Sequence, residues 1–335
     1  MTVKESTYRE INNSVNIMRL MCAYLVVVIH VDPLSDINVQ VGFFVSEVMT
    51  RVAVPFFFLV AGYYYLQKIK TDRSYFKVYI KKLLSSYCVW AGIYYIVNLV
   101  TAINIGYFII KSYIVDCVIK FFLYGPYYHL WYIPALFIAV FIVTFAEKIR
   151  ARKILFPFSI GAYVVGVVGC SYYQLGVKIP GLGTLYQAQS FEIIRKIFLM
   201  GLPFFVAGYA VAYLSEKISK SGIWLVVFLL INIFEIYFVT WKQWSNGVVL
   251  TFALYPLVLL TLVFCLQHPM KNLNSTIWQN RVSKFIYFSH PLFVMIFKDL
   301  LSMTSTLVFL CVSLSCTLVG IAIWKTKNRY LLKLL

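Results

Sequence analysis

Ten apolar stretches follow one another along the chain, near residues 15–33, 41–66, 78–101, 128–146, 154–172, 197–214, 222–240, 248–266, 285–303 and 305–324. A helix rises about 1.5 Å per residue, so ~20 apolar residues cross the ~30 Å hydrocarbon core of a bilayer. Water cannot serve backbone groups there, and only helices or closed barrels satisfy them internally. With 61% of its 335 residues apolar and only 13% charged, the chain does not fit a soluble domain. The expected fold is therefore an all-α integral membrane protein of about ten transmembrane helices around a central polar cavity. Residues 1–14 read as a polar cytoplasmic arm, 15–324 as the membrane domain, and 325–335 as a basic cytoplasmic tail. The first apolar run is followed by no small-residue cleavage site, so no cleavable signal peptide is expected.

A net charge of +18 raises the possibility of a nucleic-acid partner. Its distribution argues against one. Threading the chain through ten spans puts twenty-one of the 30 basic residues on one side, including Lys68–Lys82, Lys148–Lys153 and the C-terminal tail. Six fall on the other side: Lys111, Lys120, Lys178, Arg195, Lys196 and Lys242. This is the positive-inside asymmetry, which places both termini in the cytoplasm against anionic lipid. The seven cysteines lie scattered in apolar runs and read as packing residues.

Within the first span, Arg19 and His30 stand eleven residues apart, three turns plus ~20°, so both project from one face ~16 Å apart. Ionisable groups at membrane depth need a wet cavity or a partner. The second span holds Arg51, with Glu47 one turn earlier on the same face, followed by Pro55 and Gly62. The next loop enters a helix with Arg73, Lys77, Lys81 and Lys82, which suit a positive-inside anchor or an anionic cofactor. Residues 102–127 read as an interfacial or re-entrant outer element, and 173–196 as the longest outer loop. His129, Trp131 and Tyr132 are expected to line an outer mouth. Glu235 is the single acid of the seventh span, and His290 precedes Pro291 near the expected cytoplasmic end of the ninth. No short internal repeat is evident.

No nucleophile elbow, zinc motif or phosphate loop occurs, and no metal is expected. The remaining chemistry is that of buried imidazoles and guanidiniums. A neutral histidine serves as a general base, and a buried arginine holds a carboxylate, a phosphate or a developing oxyanion. Such a tunnel suits acyl transfer across a membrane, or passage of a small zwitterion, while a purely structural anchor is a third reading. Spacing does not choose among them.

An arginine, ten residues and a histidine in the first span, RVAVPFFFLVAGYY after it, and a late SHP resemble the acyltransferase-3 family of membrane O-acyltransferases. RVAVPFFFLVAGYYY (51–65), YHLWYIPALF (128–137) and the first-span histidine are most similar to the membrane domain of the VanT-type serine racemases of vancomycin resistance. The resemblance covers essentially the whole chain. It implies a bacterial cell-membrane location and a cytoplasmic acyl-CoA donor, acetyl-CoA being the expected one. It also implies catalysis by His30 with Arg19 and Arg51, while the buried polar and mouth-lining residues Glu47, His129, Trp131, Tyr132, Glu235 and His290 are the expected substrate region. Donor contacts would fall to Arg73, Lys77, Lys81 and Lys82, although acylating members tend to show arginines there. The racemase likeness implies a role in supplying L-serine to a fused or associated cytoplasmic racemase domain. This chain lacks the pyridoxal-binding segment and hence racemase activity of its own. Membrane lipid and a homodimeric copy complete the expected partners, with a small-molecule acceptor or L-serine as ligand.

Overall fold

The computed structural model describes residues 3–104, 110–270, 277–326, 328 and 331–334. No strand occurs among them. In chain order the principal helices are α1 (Val3–Val31), α2 (Val39–Thr71), α3 (Tyr75–Asn104), α4 (Ile110–Ile119, continued to Tyr124 as a π turn) and α5 (Tyr132–Lys148). Then follow α6 (Arg152–Cys170), α7 (Phe191–Lys217), α8 (Ser221–Trp241), α9 (Leu254–Gln267), α10 (Ile277–Val294, continued to Leu300 as a π turn) and α11 (Ser305–Thr326). Every predicted span overlaps one of these helices, and α4 falls within the 102–127 stretch read as an interfacial or re-entrant element. Seven helices are long and apolar enough to cross a membrane by themselves: α1, α2, α3, α6, α7, α8 and α11. The other three predicted spans fall short for identifiable reasons. α5 and α9 have 17 and 14 residues, and α10 carries Gln279, Asn280, Arg281 and Lys284.

Packing explains how short or polar helices are tolerated. α9 lies inside the bundle against α1, α2, α7 and α8. α10 packs between α1 and α11, and α1 touches α2, α9, α10 and α11. The large exposed apolar side chains lie instead on helices such as α8 (Ile223, Leu230, Phe234, Trp241) and α11 (Leu307, Leu310, Leu314, Leu318), as a lipid-facing rim requires. α1 is thus largely an interior helix, with neighbours on several sides and Met21 left exposed. The N-terminal arm, from Val3 onward, continues the same helix. At the other end of the chain, Trp90 of α3 donates to the Leu334 carbonyl, so the end of the basic tail folds back onto the bundle.

The tightest crossing is between α2 and α7. A Cβ on Gly62 would lie 2.0 Å from the Phe205 carbonyl oxygen, and one on Gly208 would lie 2.5 Å from the Tyr63 nitrogen. Each backbone therefore occupies the space a side chain would need, the device by which membrane helices approach closely without a hydrophobic driving force. The reciprocity has a sequence basis that the search for short repeats missed. PFFFLVAGY (55–63) in α2 and PFFVAGY (203–209) in α7 are two copies of one motif, differing by two residues in length.

Three boundaries differ from expectation. The fourth span begins at Tyr132, because Gly125 takes φ +75° and a Cβ there would strike the Leu130 and Trp131 backbone. The eighth begins at Leu254, after an irregular buried stretch whose polar groups are met by side chains. Ser171 donates to the Leu250 carbonyl, Tyr163 to the Thr251 carbonyl, and the Thr251 hydroxyl to Asn232. Glu235 accepts the amides of Phe252 and Ala253 at 2.8 and 2.9 Å, capping the entrance to α9, and also accepts from the Tyr172 hydroxyl. These bonds occupy its carboxylate, so Glu235 is a capping residue in this fold. Finally, α10 begins at Ile277 rather than near residue 285. That puts His290 thirteen residues along α10, ~20 Å from Ile277, rather than in the first turn and a half of the helix.

Candidate functional site

The histidines of three separate segments meet. His30 occupies the last turn of α1, which stops where Asp32 takes a left-handed conformation before Pro33. His129 lies in the compact turn that leads into α5 and is 2% exposed. His290 is fully buried in α10. The His30 and His290 rings stack at 5.2 Å, and His129 stands edge-on to His290 at 5.1 Å. Tyr128 packs on His30 at 4.6 Å. The Tyr287 hydroxyl donates to the His129 carbonyl, and that of Tyr94 to the Phe288 carbonyl, fixing the backbone beneath the rings.

Pro291 accounts for the tautomer of His290. Proline has no N–H for the carbonyl four residues earlier, which is that of Tyr287. The His290 Nδ1 serves it instead, at 2.9 Å, and shares itself with the Ile286 carbonyl at 2.9 Å. Carbonyls only accept, so Nδ1 carries the proton and the neutral ring presents its lone pair at Nε2. That atom, like both nitrogens of His129, has no hydrogen-bond partner among the described residues.

A second cluster forms toward the start of α1. Arg19 donates to Asn280 at 3.2 Å and to Asn16 at 3.4 Å, and its guanidinium lies 5.3 Å from the Tyr64 ring centre. Lys284 of α10 lies within electrostatic reach of Arg19, Arg281 and Lys82. Four cations from α1, α3 and α10 thus converge, and no ion pair neutralises any of them among the described residues. Between the two clusters stands Tyr132, 5.6 Å from Tyr287 on the histidine side and within electrostatic reach of Arg19 on the other. Phe57 and Phe58 flank it at 6.3 and 4.5 Å.

The predicted residues sort accordingly. His30, His129, His290, Trp131 and Tyr132 are brought together around the histidine cluster, and Arg19 lies nearer the start of α1 on the same face. All four predicted donor-binding residues are exposed, Arg73 in the turn before α3 and Lys77, Lys81 and Lys82 along its start, and of these only Lys82 lies within electrostatic reach of Lys284. Lys284, Arg281 and Asn280 were not singled out from the sequence, because a basic residue at a cytoplasmic helix end reads as a topology signal. Arg51 and Glu47 pair with each other, as their spacing suggests, and the Arg51 Nε also donates to the Glu47 carbonyl at 2.8 Å. The turn that holds them is π-helical over Phe44–Val48 and 3₁₀ over Met49–Val52, ahead of Pro55. Among the described residues no group of three or more His, Cys, Asp and Glu side chains is arranged to hold a metal ion.

A profile of the acyltransferase domain, acyltransferase-3, matches residues 12–325. An amino-acid racemase of Enterococcus faecalis is 30% identical over 223 residues, 64% of this chain and 31% of that protein. A serine/alanine racemase of Enterococcus gallinarum is 29% identical over 231 residues, 65% of this chain and 32% of that one. Each match thus spans about a third of the relative's length. No solved structure matches. With the profile running from α1 to α11 and through both clusters, the chain belongs to the acyltransferase-3 family.

Proposed function

We propose that this chain crosses a bacterial cell membrane ten times, with both termini cytoplasmic, and transfers an acyl group from cytoplasmic acyl-CoA to a hydroxyl acceptor reached from the outer side. One observation carries the reading. A single face of α1 bears an un-neutralised cationic cluster at one end and a cluster of neutral-capable imidazoles ~16 Å away at the other. Arg19, Lys284, Arg281 and Lys82 suit the phosphates of acetyl-CoA, the expected donor. An extended pantetheine arm spans the aromatic column past Tyr132 to the histidines. There His30 removes the acceptor hydroxyl proton as its oxygen attacks the thioester carbonyl. His290, with its Nδ1 committed to the backbone, offers Nε2 as the next site for that proton. The departing thiolate takes a proton from the protonated imidazoles, restoring the site.

A second reading is uptake of L-serine for a fused or associated racemase domain. It is favoured by the names of the two racemase relatives, and it would place the serine carboxylate at Arg51 and its ammonium at Glu47. Those two side chains already neutralise one another, which favours acyl transfer for this site. Reconstituted vesicles separate the readings. Acetyl-CoA-dependent labelling of an acceptor, lost in His30→Ala, supports the first. Serine accumulation without acetyl-CoA, lost in Glu47→Gln, supports the second.

A further inference from the structure

The two copies of the proline–phenylalanine–glycine motif extend further than α2 and α7 alone require. Glu47 and Arg51 precede the first copy at i and i+4, and Glu192 and Lys196 precede the second with the same spacing. In both, the stretch bearing the cation departs from α-helix. It is π and 3₁₀ over Phe44–Val52, and π over Arg195–Gly201. Because α2 and α7 cross at reciprocal glycines, the two ion-pair-bearing turns arrive at the same end of the helix pair. The exposures within each pair are unequal in the same sense. Arg51 and Lys196 are 14% and 19% exposed, whereas Glu47 and Glu192 are 43% and 65% exposed. The carboxylates point outward and the cations inward.

Arg195 has no counterpart in α2. It forms no ion pair among the described residues, reaches the Cys170 sulfur, and lies within electrostatic reach of Arg51. Next to it, Lys196 lies 5.3 Å from the Trp131 ring centre and acts electrostatically on His30. Three inward cations therefore face two outward carboxylates, beside a base that has no carboxylate of its own. Arg51 and Lys196 are answered by Glu47 and Glu192, so Arg195 is the positive charge in surplus, and a partly buried cation without a counter-ion suits an anion.

We infer that the acceptor carries an acid group, a carboxylate or a phosphate, held by Arg195, the cation in surplus over the two ion pairs, with Lys196 beside it, while its hydroxyl meets His30. This rests on the acyl-transfer reading and deepens it, since two anchor points on one acceptor orient the attacking oxygen. A neutral polyol would leave Arg195 without a counter-ion.

The test is equilibrium binding of radiolabelled sn-glycerol 3-phosphate and D-glucuronate, with glycerol and D-glucose as neutral partners, to the detergent-purified full chain at low and high salt. The acid form should bind at least ~10-fold tighter than its neutral partner, and the preference should shrink with salt. Arg195→Gln and Lys196→Gln should each weaken the acid ~10-fold, with Lys196→Arg restoring it while elution and melting temperature stay near wild type. Whichever acid binds identifies phosphate or carboxylate. Equal binding of acid and neutral probes, binding of neither acid, or acid binding unmoved in both glutamine variants overturns the inference. Acetyl-CoA turnover in the same preparations reads the underlying function separately. His30→Ala should abolish turnover and retain acid binding. Acid binding by a wild type that never consumes acetyl-CoA leaves the anion site standing and removes the acyl-transfer reading.

Discussion

Arg19→Gln is the substitution whose consequence follows most directly from the donor-end geometry. The guanidinium is half-buried and held in place by Asn16, Asn280 and the Tyr64 ring, so it is already oriented when an anion arrives. A phosphate oxygen ~4 Å away gains about 4 kcal/mol at an effective dielectric constant of about 20. Desolvation takes back part of this, and a hydrogen bond to a charged group nets about 1.5–3 kcal/mol. Glutamine keeps much of the volume and loses that interaction, so acetyl-CoA should bind ~10–150-fold more weakly. Lys284→Gln should follow the same direction, and Arg19→Lys should recover part of the loss, since it keeps the charge without the planar fork. The sequence-predicted residues Lys77 and Lys81 provide the contrast. Both are exposed and screened, so the double glutamine variant should change affinity by less than ~3-fold at physiological salt. Equilibrium binding of acetyl-CoA to purified protein measures all of these. Wild-type affinity in Arg19→Gln, or a greater loss in the Lys77 and Lys81 variant, would refute the assignment of the donor end.

Gly62→Ala should destabilise the purified protein by about 3 kcal/mol or more, because its Cβ meets the backbone of α7 and no side chain can move aside. Gly92→Ala, with nothing within 4 Å of its Cβ, should be neutral or gain about 0.5–1 kcal/mol, and thermal melting in detergent compares the two. Pro291→Ala restores an N–H that competes for the Tyr287 carbonyl and frees the His290 Nδ1. Turnover should fall ~10-fold with acetyl-CoA affinity unchanged, and undiminished turnover would show that the His290 tautomer does not matter. In the loop after α1, the Thr306 hydroxyl and amide bond the Asp36 carboxylate and hold it below its ordinary range. A depressed carboxylate stabilises the fold above that range and loses the contribution as pH falls through it. Asp36→Asn should therefore lower the melting temperature near pH 7, and the gap from wild type should close below about pH 4.

The alternation of apolar runs and basic loops carried most of the fold, since periodicity and charge asymmetry are local properties of the chain. The pairing of Arg19 with His30 was legible for the same reason: helical spacing alone puts them on one face. What escaped depends on tertiary geometry. His290 sits further along α10 than a span starting near residue 285 implies, because the polar residues 277–284 disguise two turns of the helix. Glu235 resembles an unexplained intramembrane acid until the irregular stretch before α9 shows two backbone amides that need an acceptor. Lys284 carries the same letter as any positive-inside anchor, and only the packing of α10 on α1 turns it toward Arg19. The twin motifs of α2 and α7 were visible in principle, but the two-residue difference in length hid them until the reciprocal contacts of Gly62 and Gly208 aligned them.

The central claim is that chemistry at His30 joins a donor on one side of the membrane to an acceptor on the other. The direct measurement uses vesicles with the protein in known orientation, labelled acetyl-CoA confined to the side of Lys68–Lys82, and the acid-bearing acceptor confined to the opposite side. The account predicts acetylated acceptor on its own side, in step with free CoA on the donor side, and loss of both in His30→Ala at unchanged melting temperature. Acetylated product confined to the donor side, or transfer that persists in His30→Ala, would contradict it.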